Sequence, residues 1–117
     1  MKTLVILNDP PYGTERTYNG LRLAMNLQRL QEGTEVTVFL MGDAVAAAKR
    51  GQTTPNGYYN LERMIAGVAT RKGQVLLCGT CMDARALKDD EIIEGTRRST
   101  LDELTEATVG ADKVLIF

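Results

Sequence analysis

The sequence lacks histidine and tryptophan entirely and has only three prolines and two cysteines. Without histidine the chain has no imidazole to act as a base or as a metal ligand, which excludes a Ser-His-Asp triad and a Cys-His protease site. Two cysteines cannot form a disulfide scaffold, and three prolines do not make a Pro-rich ligand segment. These absences leave the cysteines as the main candidates for chemistry.

The sequence also has no excess of charge of either sign. It contains 14 Lys and Arg residues and 15 Asp and Glu residues, which gives a net charge of -1. A protein that binds nucleic acid needs a surplus of clustered basic residues, so no nucleic-acid partner is expected. The apolar run 4–7 is too short for a signal-peptide core or a membrane span. We expect a soluble cytoplasmic protein with no membrane partner and no cofactor.

The 117 residues fit one domain that spans 1–117. Near-continuous apolar runs alternate with stretches of helical period, which is typical of a parallel sheet covered on both faces. The chain is therefore predicted to form an α/β fold, a three-layer α/β/α sandwich with right-handed crossovers. The predicted strands are 3–7, 36–41, 74–78 and 113–117, with an ambiguous edge strand near 95–98.

Helix signals fill the gaps between these strands. The first helix is predicted to start near 14–15 and to end before Gly33, with a core stripe of Leu23, Ala24, Leu27 and Leu30. Polar residues ahead of the other helices have the character of N-caps. The predicted caps are Asp43, Asn60, Thr80, and either Ser99 or Thr100. Thr80 and Asp83, three residues later, match a capping box for a helix that starts at Cys81.

The segment Cys78-Gly79-Thr80-Cys81 is the most informative motif, because it joins a predicted strand to a predicted helix. Cysteine is often simply buried, so Cys78 and Cys81 are as well explained by packing as by chemistry. A sulfur at the first turn of a helix, however, faces free N–H groups that favour the thiolate. Arg85, one turn further along, would add a stabilising positive charge.

Three chemistries use such a pair. A thioredoxin-like couple fits the helix start, but no proline follows Pro55 to face the disulfide. A zinc site needs two further ligands, which only carboxylates or a neighbouring subunit could supply, so no metal is expected. A sulfur carrier needs one nucleophilic cysteine at an exposed junction, and it makes the fewest further demands.

Carboxyl ends of parallel strands meet at one edge of a sheet, so the loops 8–13, 42–43 and 78–83 are predicted to converge. Pro10 and Pro11 remove backbone donors from the first loop, which argues against a phosphate cradle and favours a rigid turn with Tyr12 at the pocket edge. The aromatic pair 58–59 is expected to pack against its own domain or a partner subunit. The pair 97–98 is expected to be two solvated charges.

Four blocks in order along the chain resemble the DsrE/DsrF-like proteins, and in particular their YchN-like branch; the blocks are 11–15, 39–45, 77–85 and 111–115. The resemblance implies a mainly five-stranded parallel sheet, with the fifth strand around 95–98. It also implies a persulfide relay in which the sulfur-carrying cysteine aligns with Cys78, and assembly into trimers or hexamers. Where the family usually shows Arg-Gly, this chain has Arg85-Ala86.

The sequence thus leads to a sulfur-carrier hypothesis: Cys78 holds transferable sulfur, Cys81 resolves it or shares the role, and sulfur donor and acceptor proteins are the partners. Arg85, Thr80 and Asp83 would shape the helix start and its electrostatics, while Tyr12 and Asp43 would line the same rim. Two alternatives stay open. One is a non-catalytic oligomeric module that binds a ligand or partner and has structural cysteines, and the other is a dithiol redox protein.

Overall fold

The computed structural model describes residues 1–56 and 58–117 and contains a five-stranded sheet. The sheet order is β4-β3-β2-β1-β5, and every neighbouring pair is parallel. The strands are β1 Lys2–Leu7, β2 Glu35–Leu40, β3 Gln74–Cys78, β4 Thr96–Ser99 and β5 Lys113–Ile116. The predicted α/β fold with a five-stranded parallel sheet is confirmed. Strand β4 is shifted by one residue from the edge strand predicted near 95–98.

Four α-helices and two short 3₁₀ helices connect the strands. The α-helices are α1 Arg16–Leu30, α2 Leu61–Thr70, α3 Gly79–Ala84 and α4 Leu101–Gly110, and the 3₁₀ helices are Gly42–Ala48 and Asp89–Glu91. No helix among the described residues is both long and apolar enough to cross a membrane.

One face of the sheet, here called the sealed face, is covered by α1, α2 and the 3₁₀ helix Gly42–Ala48. Side chains alternate between the faces of a strand, so every second residue of β1 points to this side. Val5 and Leu7 are fully buried there against Leu21 of α1 and Ile65 of α2. The sealed face holds the larger of two apolar clusters.

The opposite face, here called the open face, has a thinner cover. Its cluster joins Leu4, Phe39 and Leu76 of the strands to Leu104 of α4, the one helix that contributes to it in the described part of the chain. Several apolar side chains around this cluster stay exposed to solvent, among them Leu101 at 68%, Val109 at 82% and Ile116 at 65%.

Helix α1 buries only part of the predicted stripe: Ala24 is buried and Leu27 packs partly buried against the core, but the other two members are exposed. Leu23 and Leu30 are 38% and 59% exposed, whereas Thr17, Gly20, Leu21 and Ala24 are buried. Gly20 explains the choice, because a Cβ on it would lie 2.4 Å from Cδ2 of Leu7. The helix backbone therefore approaches β1 at a glycine, and this contact sets the rotation of the helix.

Two of the predicted caps are confirmed. Asn60 accepts a hydrogen bond from the backbone N–H of Arg63 at 3.1 Å, and Thr100 accepts one from the N–H of Glu103 at 3.1 Å. The Asp43 cap is wrong. The 3₁₀ helix begins at Gly42, so Asp43 lies inside its first turn, and its carboxylate binds Arg85 instead.

Candidate functional site

Cys78 ends strand β3 and its sulfur caps the helix that follows. The Sγ atom accepts a hydrogen bond from the backbone N–H of Cys81 at 3.4 Å, and the hydroxyl of Thr80 lies 3.3 Å from the same Sγ. Helix α3 then begins at Gly79. The first turn of a helix has unpaired N–H groups, and a cysteine sulfur satisfies one of them here.

The predicted helix start at Cys81, with Thr80 and Asp83 as a capping box, is therefore wrong by two residues. The sulfur of Cys78 takes the position that the Thr80 hydroxyl was expected to occupy. Asp83 points elsewhere: its carboxylate pairs with the guanidinium of Arg98 at 3.0 Å. Sequence patterns for caps favour oxygen side chains, so a sulfur cap escapes them.

Cys81 connects α3 to the end of β2. Its Sγ accepts a hydrogen bond from the backbone N–H of Gly42 at 3.2 Å. Gly42 has a φ of 54°, in the left-handed region that favours glycine, and this conformation belongs to the turn that presents its N–H to the sulfur. The loops after β2 and β3 therefore meet, as the sequence predicted.

Arg85 also links helix α3 to the turn that follows β2. Its Nε and Nη2 atoms each lie 2.8 Å from Oδ1 of Asp43, and its Nη1 donates to the carbonyl oxygen of Cys81 at 3.0 Å. Asp43 and Arg85 thus lie together beside Cys81, and the carboxylate takes up much of the positive charge that was expected to act on the thiols.

The two thiols differ in acidity. Burial raises the pKa of Cys78, but hydrogen bonds from the Cys81 side chain, the Thr80 hydroxyl and both backbone N–H groups outweigh it, so this pKa is lowered. The pKa of Cys81 is raised, first by burial and then by its hydrogen bond to Cys78. Arg85 lowers the pKa of Cys81 only slightly, and it is not among the groups that act on Cys78. The thiolate is therefore favoured on Cys78.

A cavity of about 550 Å³ opens beside Cys78 on the open face of the sheet. Phe39, Met41 and Leu101 supply its apolar walls, and Thr80, Asp83 and Arg98 its polar rim. Cys78 itself is half-buried, and so is Cys81. The more acidic thiol thus borders a space that solvent reaches.

Arg98 is a rim residue that the sequence reasoning missed by treating it as a solvated charge. Its guanidinium lies 3.0 Å from Asp83 and 2.9 Å from Asp89, and it donates to the carbonyl of Gly79 at 3.0 Å. Strand β4 pairs with β3, with Arg98 opposite Leu77, the residue before Cys78. The signal that could have found it is this pairing, which the ambiguous edge strand concealed.

Tyr12 lies at a different place from the cavity. Its hydroxyl donates to Gln52 at 2.5 Å and accepts from the N–H of Leu61 at 3.2 Å, and its ring is 6.1 Å from that of Tyr59. It holds the loop ahead of α2, so the structure brings together Cys78, Thr80 and Asp83 at the cavity and Asp43 and Arg85 beside it, without Tyr12. In the described residues no cluster of Cys, Asp and Glu side chains could hold a metal ion.

Comparison with known proteins gives one consistent result. The model of the DsrE/DsrF-like family matches residues 1–117. Protein YchN of Escherichia coli K12 is 40% identical over 116 residues, which are 99% of this chain and 98% of YchN. The MJ0989 protein of Methanocaldococcus jannaschii is 37% identical over the full length of both chains.

Solved structures agree with these relatives. The crystal structure of YchN from E. coli superposes with a TM-score of 0.92 at 41% identity and full coverage of both chains. The MTH1491 protein of Methanobacterium thermoautotrophicum has a TM-score of 0.73 over 97% of each chain at 14% identity, a likeness that concerns the fold alone.

Proposed function

The chain belongs to the DsrE/DsrF-like family, and from that premise we propose that it carries sulfur as a persulfide on Cys78. One observation supports this most directly. The Cys78 sulfur is half-buried at an open cavity and is hydrogen-bonded by the N–H of Cys81 and by Thr80, which lowers its pKa. A thiolate that is stabilised yet accessible is the state in which cysteine attacks sulfur.

The transfer needs no oxidant. The Cys78 thiolate attacks the terminal sulfur of a donor protein's persulfide, a new S–S bond forms, and the donor cysteine leaves as a thiolate. The terminal sulfur carries its proton or negative charge across with it. Delivery repeats the same step with a thiolate of the acceptor, so the numbers of electrons and atoms balance at each stage.

Cys81 has a protective role in this scheme. Attack of a Cys81 thiolate on the inner sulfur of a loaded Cys78 would form a disulfide and expel the carried sulfur as hydrosulfide. The raised pKa of Cys81 keeps its proton in place and slows that loss. The hydrogen bond from Gly42 to the Cys81 sulfur also fixes that atom at the end of β2.

Assembly, partners and location form the rest of the proposal. We propose a homo-oligomer, a trimer or hexamer, whose subunits cover the exposed apolar side chains Leu101, Val109 and Ile116 of the open face. Sulfur donor and acceptor proteins are the partners, and the cytoplasm, where thiols stay reduced, is the location. Equilibrium sedimentation measures the subunit number.

The sulfur-carrier proposal is tested by intact-mass analysis after incubation with a cysteine desulfurase and cysteine. We expect the wild type to gain the mass of one sulfur atom, Cys81→Ser to gain it as well, and Cys78→Ser to gain none. Loading of Cys78→Ser at the wild-type level contradicts the proposal. Loss of assembly in Cys78→Ser, without any loading of the wild type, favours the non-catalytic module.

A second candidate, a dithiol redox protein, is favoured by one specific contact: a hydrogen bond between the Cys78 and Cys81 side chains, which acts on the pKa of both thiols. Oxidation by a diazene thiol oxidant would then remove two hydrogen atoms from the chain, and a dithiol would restore them. A stable, reversible disulfide in the wild type, with no sulfur loading, would replace the carrier proposal by this one.

A further inference from the structure

A groove of about 820 Å³ runs between α1 and α2, on the outside of the layer that covers the sealed face. Four arginines line it: Arg22 and Arg29 from α1, and Arg63 and Arg71 from α2 and its end. No carboxylate side chain is among the described residues that line it. The groove is therefore a concentrated positive surface on a chain whose net charge is -1.

These four arginines differ from four of the other five in their partners, while the fifth, Arg50, donates to the backbone carbonyl of Asp90. Arg16, Arg85, Arg97 and Arg98 each pair with a carboxylate within 4.0 Å. Within the described part of the chain, no ion pair involves any of the four groove arginines. Uncompensated guanidinium groups that gather at one place repel one another, and an anion between them removes that cost.

Neutral amides hold two of the side chains. Arg22 Nη1 donates to Oδ1 of Asn19 at 3.3 Å, while Arg29 Nη2 and Nε donate to Oδ1 of Asn26 at 2.7 and 3.2 Å. An amide oxygen orients a guanidinium without neutralising it, and a guanidinium has five N–H donors. Most donors of these arginines stay free for a ligand, and the planar fork suits phosphate.

The spacing of the arginines indicates an extended ligand. Arg22 and Arg29 are seven residues apart on α1, about 10 Å along the helix axis, and Arg63 and Arg71 are eight apart, about 12 Å. With their side chains along the helices, the ends of such a row lie too far apart for one phosphate group to suit both equally well. A chain of linked anionic groups can reach both.

Aromatic rings occupy the same groove. Tyr18 and Tyr59 stack with ring centroids 4.0 Å apart, and the guanidinium of Arg22 lies 5.3 Å from the centroid of Tyr18. Tyr58 stands at the border with 71% of its surface exposed, so its ring is open to stacking. Leu23 and Met64 add apolar surface beside the rings.

We propose that the α1–α2 groove binds an organic polyphosphate that carries an aromatic ring, the chemical class of the nucleoside triphosphates. The arginines bind the phosphates, the exposed tyrosine stacks on the ring, and the amide NH2 groups of Asn19 and Asn26 reach the polar edges of the ligand. None of these residues borders the cavity at Cys78. This site is therefore independent of sulfur transfer.

Isothermal titration of the full chain with ATP, without divalent cations, tests the proposal. Inorganic tripolyphosphate and adenosine are the two comparison ligands, one with the charge alone and one with the ring alone. We expect ATP to bind best, tripolyphosphate more weakly and adenosine least, with affinity falling as salt increases. No detectable heat for ATP at millimolar concentration, or equal affinity for adenosine, overturns the proposal.

A double variant, Arg63→Gln with Arg71→Gln, tests the residues. We expect ATP affinity to fall about 10-fold or more, because charge-assisted hydrogen bonds are lost. Arg16→Gln with Arg50→Gln is the matched control, since it also removes two positive charges, but from residues outside the groove. The ATP affinity of this control should stay within about twofold of wild type. Equal losses in both variants indicate a general charge effect and overturn the proposal.

Thermal melting of each variant confirms that the fold is intact, and Arg22→Gln serves if the double variant unfolds. Equilibrium sedimentation tests the alternative that a second copy of the chain, instead of a nucleotide, occupies the groove. A double variant that dissociates an oligomer, in a protein whose wild type binds no ATP, makes the groove a subunit contact and overturns the proposal. Sulfur loading of Cys78 is measured on the same samples, so the two proposals fail separately.

Discussion

The two faces of the sheet are covered very differently. On the sealed face, Leu21 of α1 and Ile65 of α2 are fully buried against the sheet, as is Val38 of β2. On the open face, α4 shelters a smaller cluster and leaves Val109 and Ile116 largely exposed. Cys78 packs against both clusters, so it lies where the closely packed side of the sheet borders the more exposed side.

Because of this difference, one face of the sheet supplies most of the folding stability and the other leaves Cys78 accessible to solvent. Burial of apolar surface is the main favourable contribution to folding, and most of it is on the sealed face. The cavity at Cys78 exists because the open face is incompletely covered. A thiol at this border is held by close packing on one side and borders an open cavity on the other. Four experiments probe the comparison.

Truncation of a core leucine should show the largest contrast. Leu21→Ala on the sealed face should lower the free energy of unfolding by about 2–5 kcal/mol, because it removes buried contacts and leaves a cavity. Leu101→Ala, at a side chain that is 68% exposed on the open face of the single chain, should change the free energy of unfolding of the dissociated subunit by about 0.5 kcal/mol or less. Urea unfolding of the two variants measures both values, and equal losses would refute the division between the faces.

Adding one methyl group should show the next effect. Gly20→Ala places a Cβ 2.4 Å from Leu7 and 3.1 Å from the ring of Phe117, which should cost about 1–3 kcal/mol of unfolding free energy through overpacking. Gly110→Ala, at the end of α4, meets nothing within 4 Å and should be neutral or stabilising by up to about 1 kcal/mol. Thermal melting compares the pair, and a Gly20→Ala variant as stable as wild type would contradict the close approach of α1 to β1.

Alkylation rates compare the two thiols at the border. The lowered pKa of Cys78 makes more thiolate at neutral pH than the raised pKa of Cys81 does, so Cys78 should react about 10-fold faster with iodoacetamide. As pH rises, Cys78 should reach its plateau first and the ratio should shrink. Peptide mapping by mass spectrometry over a pH series measures both rates. Thr80→Val should slow Cys78 alone, and a faster Cys81 at neutral pH would reverse the assignment.

An ion pair at the border of the open face should give the smallest effect. Arg97, followed by Ser99, lowers the pKa of Glu103 to about 2. Because the folded pKa lies below the ordinary value, the stabilisation is full above about pH 4.5 and disappears as the pH falls through about 2. Glu103→Gln should therefore lose at most about 1 kcal/mol at neutral pH and nothing in strong acid.

Glu106→Gln is the control for this ion pair, since Glu106 lies on the same helix and forms no ion pair in the part of the chain that the structure describes. Its stability should match that of the wild type across the pH range. Urea unfolding at several pH values measures both variants. A Glu103→Gln loss that persists in strong acid would mean that Glu103 acts through packing instead of charge.

Local signals in the sequence were sufficient for four of the five strands and for two helix caps, whereas strand β4 was ambiguous and was implied only by the family resemblance. Strand β3 has the predicted bounds, and Asn60 and Thr100 cap their helices through side-chain oxygens as expected. These features depend on neighbours close in the chain, which a sequence displays directly. The convergence of the loops after β2 and β3 followed from parallel strands alone.

Features that depend on distant contacts were not predictable. The rotation of α1 is set by Gly20 against Leu7 and Phe117, and the chain has enough leucines on α1 to fill more than one stripe. Arg98 reaches Asp83 and Asp89 only because β4 pairs beside β3. Tyr12 turns toward Gln52 and α2, and no pattern near it in the chain specifies that direction.

The sulfur that closes the first turn of α3 is also the atom to which cargo would be attached. An added sulfur atom would draw negative charge outward and weaken the hold on the amide proton of Cys81. Loading would then loosen a short helix whose far end is tied to the chain after β2 through Arg85 and Asp43. A protein that touches only the surface of α3 would in this way distinguish a full carrier from an empty one without reaching the cargo itself.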